Sequence, residues 1–202
     1  MDTRISSFEQ SRRKFFSTIL PMGTMCCFGC STCFASDKSE KKHKFLEDSG
    51  MSFQQVFDFT FKEFYIPTMQ NLANEIGKDE FIEKLKRASS EMRKQQGQNL
   101  AKSLQKNDLA SFTAFIKEYD LYKHVLTYEI VEETDKAFGM KNTECLFAKT
   151  FREADASDIG YAAICYGEYA WTSAFNPKMK MIHSKTMMQG NDYCHARYVL
   201  EG

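Results

Sequence analysis

The stretch YKHVLTYEIVEE, Tyr122 to Glu133, is where the chain changes character. Before it, apolar residues recur at helical spacing. Within it, β-branched and aromatic residues alternate with charged ones, the signature of a half-buried strand. Upstream, Met51 to Ile76 places Phe53, Phe57, Phe61, Phe64, Leu72 and Ile76 near one broad face, with Pro67 expected to kink or split the helix and Gly77 to end it. Asp79 can cap a second helix, whose apolar stripe runs from Phe81 to Leu104 and whose middle Gly97 weakens; Asp108 can cap a third, LASFTAFIKEYD.

Downstream, TDKAFGM reads as a loop with Gly139, and TECLFAKTF, Thr143 to Phe151, as a second strand. DASDIGYAAICYG, Asp155 to Gly167, reads as a helix starting at Asp155 or Ser157. A short helix follows and breaks at Asn176-Pro177. MKMIHSKTMM and YCHARYVLE alternate and supply two last strands. The expected class is therefore α+β: N-terminal helices packed on a mainly antiparallel C-terminal sheet of about four strands, with an inserted helix.

The first 35 residues have a different order. SRRKFF, Ser11 to Phe16, is followed by the apolar run STILPMGTMCCFGCSTCFA and the charged run SDKSEKKHK. Basic, apolar, small, polar is the layout of a secretion signal, and Ser-Arg-Arg-x-Phe resembles the twin-arginine type. The expected domains are an export signal over 1–35, a flexible leader over 36–50 and one α+β domain over 51–202. The expected location is the periplasm or the outer face of the cytoplasmic membrane. The export machinery is then a partner, and membrane contact is transient or through a lipid anchor near Cys30. The apolar run is interrupted by Pro21, Gly23 and Gly29, which argues against a spanning helix.

The full chain carries 27 basic and 27 acidic residues. Removing 1–35 takes away Arg4, Arg12, Arg13, Lys14, Asp2 and Glu9, leaving 23 and 25, a net of −2. Such a balance argues against nucleic acid as a partner. Four of the seven cysteines leave with the signal, so Cys145, Cys165 and Cys194 remain. An odd number in an oxidising compartment leaves at least one free thiol. A nucleophilic cysteine needs thiolate character and hence a nearby base. Asp192 and Cys194 share a face of an extended strand and His195 points to the other; His183 and His124 lie on other elements. Cys145, Cys165, Cys194 and His195 are also zinc-ligand types, but no C-x-x-C or H-x-x-x-H pair lies after residue 35, so no cofactor is expected and zinc is the alternative.

Glu144-Cys145, the Asp158–Cys165 helix, Asn176-Pro177, Thr186 and the ending Gly190-x-Asp192-x-Cys194 together resemble the L-2-amino-thiazoline-4-carboxylic acid hydrolase family, over about residues 50–202. The resemblance implies a helical region before a cysteine-containing α+β half, and an enzyme that opens a cyclic amidine or amide C–N bond in a small molecule. Such a reaction needs a nucleophile or activated water, an acid for the leaving nitrogen and charge stabilisation. The candidates are Cys194, Cys165 or Cys145 as nucleophile, Asp192 to orient it, and His183 or His195 to move the proton. Glu144, Arg152, Asp158 and Arg197 are the candidate substrate-binding residues, the arginines suiting a carboxylate. A small-molecule-binding domain without catalysis is the alternative.

Overall fold

In a computed structural model, the structure describes residues 50–201. The expected export signal and most of the expected leader lie outside the described residues. Among the described residues, no helix is long and apolar enough to cross a membrane.

Helix α1 (Phe53–Asp58) begins with a capping box, in which the Ser52 hydroxyl accepts from Gln55 N–H and the Gln55 side chain accepts from Ser52 N–H. The helix widens into a π-helical stretch, Phe59–Tyr65, and resumes as α2 (Ile66–Ile76). Pro67 falls in the first turn of α2. A proline lacks an N–H and crowds the carbonyl four residues back, and the widened turn before it accommodates both. Helix α3 (Lys78–Ser103) starts at Gly77, whose φ of 98° only glycine adopts easily, so Gly77 rather than Asp79 occupies the cap and Asp79 sits in the first turn. Helix α4 (Leu109–Glu118) has the expected cap, with Asp108 accepting from Ser111 N–H at 2.8 Å.

Two expectations in the middle of the chain need correction. The alternating stretch Tyr122–Glu133 begins as helix α5 (Asp120–Val125), which buries Val125, and only then becomes β1 (Leu126–Glu133). The second strand, β2, is Ala137–Cys145, so the expected loop around Gly139 is strand. Gly139 pairs with Glu132 where the β1–β2 register slips, a place a glycine suits. LFAKTFRE is helix α6 (Leu146–Glu153), because burying Ala148, Thr150 and Phe151 matches a helical face better than an alternating one. Next come the short α7 (Ser157–Gly160), a π-helical turn (Tyr161–Cys165), α8 (Glu168–Phe175), β3 (Met179–Lys185), a 3-10 turn (Met187–Gln189) and β4 (Cys194–Leu200).

The strands form one antiparallel sheet in the order β1-β2-β4-β3. One hydrophobic cluster, with Phe112, Phe138, Trp171, Phe175 and Tyr198, fills the space between the sheet and helices α3, α4 and α8. A second, with Ile66, Phe81, Phe151, Ile159 and Met188, joins α2, α3, α6 and α7. The fold is α+β, helices packed with a four-stranded antiparallel sheet.

Candidate functional site

Register puts three polar side chains on the core face of the sheet. Asn142 on β2 pairs with Cys194 on β4, and His183 on β3 pairs with Ala196. Paired residues share a face, and Cys194 and Ala196 are both buried. Helices deliver the rest. Gly167 lets the start of α8 sit directly on α3, since a Cβ there would lie 2.5 Å from Arg93 Cγ and 2.9 Å from Ser89 O. Ser89 ties the same region down by donating to Ala162 O at 2.7 Å. Glu168 therefore enters the interior as the first residue of α8, beside Arg93, and Cys165 closes the π-helical turn just before it. Cys145 ends β2 and caps α6, its Sγ accepting from Ala148 N–H at 3.4 Å; Cys194 Sγ accepts from Met187 N–H at 3.2 Å.

Burial dominates the electrostatics. It raises the Glu168 carboxyl to about 7, against the opposing pull of Arg93. Among the described residues, nothing donates a hydrogen bond to this carboxylate, and its nearest basic neighbour is His183, Nε2 to Oε2 3.8 Å. The His183 side chain is only 6% exposed, and burial, helped by His195, lowers it to about 4, so it is neutral at neutral pH. Glu168 keeps 21% of its side-chain surface accessible despite its depth. Burial also pushes the thiols up: Cys145 to about 11, Cys165 well above its ordinary value and Cys194 upward, the Glu168 charge adding to each. Tyr122, Tyr169 and Tyr198 are raised for the same two reasons. Among the described residues, three buried side-chain polar atoms have no hydrogen-bond partner: Arg93 Nε, Asn142 Oδ1 and His183 Nδ1. Buried polar atoms are rarely left so, and donors and acceptors held this way can recognise a polar ligand.

The residues singled out from the sequence divide into two groups. His183 lies beside Glu168, and the Glu168 charge reaches Cys145, Cys165 and Cys194. The others point elsewhere. Asp192 is exposed in the turn before β4, 3.5 Å from Lys185 Nζ. His195 and Arg197 alternate onto the outer face of the sheet, where His195 Nδ1 lies 2.8 Å from Ser184 Oγ and Arg197 donates twice to Glu132, at 2.5 and 2.9 Å. Glu144 is exposed and accepts from the Thr127 hydroxyl. Arg152 lies on the exposed side of α6, and Asp158 pairs with Lys78 at 2.6 Å. Among the described residues no three His, Cys, Asp or Glu side chains converge as a metal-ligand set, and His195 is on the other face of the sheet from Cys194. Sequence reasoning missed Glu168, Arg93 and Asn142. For Glu168 a signal existed: it is the one charged residue between Asp158 and Lys178, in a run otherwise apolar or small.

An open groove of about 980 Å³ lies outside this cluster, with Phe53, His124, Cys145, Lys149, Arg152 and Met187 along it. A second cleft, about 510 Å³, is bounded by Lys86, Arg152, Asp158 and Tyr161.

The family model described as L-2-amino-thiazoline-4-carboxylic acid hydrolase matches residues 58–198. No curated protein matches the chain. Among solved structures, the chain is similar to the phenol-responsive sensory domain of the transcription activator PoxR with phenol, at 12% identity and a TM-score of 0.46, over 66% of this chain and 71% of that one. It is also similar to a trafficking protein particle complex subunit 3 from Naegleria fowleri covalently bound to palmitic acid, at 11% identity and a TM-score of 0.43, over 68% and 93%.

Proposed function

The chain belongs to the L-2-amino-thiazoline-4-carboxylic acid hydrolase family, and from that membership we propose that its domain opens a carbon–nitrogen bond of a small cyclic amidine or amide, with Glu168 moving the proton. The observation that carries this reading is the Glu168 carboxyl itself: half-buried, accepting no hydrogen bond among the described residues, with a fifth of its side chain accessible, and raised to about 7. A general acid–base group works best near the operating pH. In the hydrolytic step, water oxygen bonds to the ring carbon as its proton passes to the Glu168 carboxylate. The C–N bond then breaks, and Glu168 returns that proton to the leaving nitrogen. Arg93 and Asn142 offer a donor and an acceptor to the substrate, and His183, neutral, offers Nδ1. Burial and the Glu168 charge keep the three thiols protonated, which favours water over sulfur as the attacking atom.

The test uses the full chain and a panel of cyclic amidines and lactams. Turnover is expected to survive Cys145→Ala, Cys165→Ala and Cys194→Ala taken singly, and to be lost in Glu168→Gln. Turnover that persists in Glu168→Gln overturns the role of Glu168; loss in one cysteine variant alone returns sulfur to the role of nucleophile. The unpartnered Arg93, Asn142 and His183 atoms support a second reading, a small-molecule-binding domain, which tight calorimetric binding without product would favour.

The order of charge and apolarity over residues 1–35 supports export by the twin-arginine route to the periplasm or the outer face of the cytoplasmic membrane. Replacing Arg12-Arg13 with Lys-Lys is expected to hold the protein in the cytoplasm on fractionation; unchanged distribution would count against it.

A further inference from the structure

Two residues belong both to the open groove and to the surroundings of the buried thiols. Cys145 lines the groove, and its thiol feels the charges of Cys194 and Glu168. Met187 lines the groove too, and its backbone N–H is bonded to Cys194 Sγ. The floor of the groove is thus also a wall of the interior cluster. Cys145 is held there by the N-terminus of α6, and Met187 by a three-residue 3-10 turn that ends at Gly190 in a left-handed conformation. The groove is also lined by Phe53, stacked on His124 with ring centroids 5.2 Å apart. Cys194, by contrast, is only 8% exposed, and neither it nor Cys165 lines the groove.

We propose that this groove is the approach by which a small organic molecule reaches Glu168, and that Cys145 and Met187 are the residues it must pass. This rests on the reading of the Glu168 surroundings as the reaction centre. The groove has room for a small ring beside Phe53, Val125 and Leu126, with Lys123, Lys149 and Arg152 lining it as well, and passage between a thiol and a thioether side chain admits a flat apolar ring more readily than a heavily hydrated group. Cys145 is then the thiol that a solute in the groove meets first, and the buried Cys194 is reached past it, whereas the half-buried Cys165 lies off this route.

The experiment is peptide-resolved mass spectrometry of the full chain during reaction with methyl methanethiosulfonate, a small neutral thiol reagent; peptide resolution separates Cys145, Cys165 and Cys194 from the four cysteines before residue 35. Cys145 is expected to label first. In Cys145→Trp, labelling of Cys194 is expected to be lost over the time in which it completes in the parent, while Cys165 labels as before. In Met187→Ala, which opens the same passage and does not depend on the tryptophan variant folding, labelling of Cys194 is expected to speed up. Cys194 labelling ahead of Cys145, or at a rate indifferent to both substitutions, overturns the proposal and points to the cleft at Tyr161 instead. Because labelling needs no turnover, its failure is distinct from a failure of Glu168 as the proton-transfer group.

Discussion

Nε2 of His183 lies 3.8 Å from Oε2 of Glu168, yet the two do not form an ion pair at neutral pH. Burial raises the acid to about 7 and lowers the base to about 4, so any shared proton stays on Glu168. The two shifts act on stability with opposite signs. Below about pH 7 the folded state keeps a proton on Glu168 that an unfolded carboxyl, near 4.5, has released; this contribution is present below 4.5 and lost as pH rises to 7. Folded His183 refuses a proton that the unfolded imidazole takes below 6.5; its contribution is present above 6.5 and lost as pH falls to 4. Between about 4.5 and 6.5 the two slopes cancel. Glu168→Gln is therefore expected to show stability rising with pH from 4 to 6.5, and His183→Gln stability falling from 4.5 to 7, each by up to about 3 kcal/mol. Urea denaturation across pH measures both; parallel profiles in the two variants would contradict the paired assignment.

The same carboxyl sets a pH dependence for turnover. As a base Glu168 must be ionised, so kcat/KM is expected to rise with pH and level off above about 7. Glu168→Gln removes the inflection and lowers kcat about 10²–10⁴-fold, the usual contribution of a positioned acid–base group. A parent profile flat from pH 5 to 9 would remove Glu168 from the reaction.

Two glycines hold α8 against α3. A Cβ on Gly97 would lie well inside van der Waals contact with the Trp171 carbonyl oxygen, with Phe175 N 3.2 Å away, and both are backbone atoms that cannot swing aside. Gly97→Ala should gain up to about 1 kcal/mol of helix propensity and lose about 1–3 kcal/mol to overpacking, a net destabilisation visible in a denaturation midpoint. Gly167→Ala presses on Arg93 and Ser89 O and displaces Glu168 as well. It is expected to lower turnover more than its loss of stability explains, whereas Gly97→Ala lowers stability alone.

Much of the fold was legible because it rests on periodicity. The α4 cap at Asp108, α8 up to Asn176 and the strands β3 and β4 all follow patterns that local residues impose. The second strand was displaced because TECLFAKTF is rich in residues that favour strands, while its burial in the fold is helical; the tertiary neighbours of Phe151 outweighed propensity. Gly97, which read as a weak point of a helix, is where two helices touch most closely. The candidate site divides the same way. Alternation along β4 put His195 opposite Cys194. That Cys145, Cys165 and Cys194 share one charged neighbour follows only from the path of the chain, which no local pattern encodes. Arg93 is one of many charged residues on α3 and carries no mark in sequence that it faces inward.

The outer face of the sheet supplies a contrast. Arg197 is engaged by Glu132 through two hydrogen bonds, His195 faces Ser184, and Asp192 is solvent-exposed beside Lys185. All three lie on the far side of the sheet from Glu168 or in the turn beyond it. Arg197→Gln, His195→Gln and Asp192→Asn are expected to leave kcat and KM unchanged, as a steady-state comparison with the parent would show. A change of tenfold or more in kcat in any of them would mean that substrate contacts the outer face.

The thiols give the last measure of the interior. Cys145 is raised to about 11 by burial, even though Ala148 N–H donates to its sulfur and so favours the thiolate. Alkylation by iodoacetamide requires the thiolate, so the rate at Cys145 is expected to climb tenfold per pH unit through 8 and 9 and to bend only near 11. Cys165, raised well above its ordinary value by burial and the Glu168 charge, should lag behind it at every pH. Glu168→Gln removes that charge, and its expected effect is to move the Cys165 profile to lower pH while leaving its dependence on burial. A Cys145 profile bending near 7 instead would show a thiolate poised for attack and would reinstate sulfur, rather than water, as the group that meets the ring carbon.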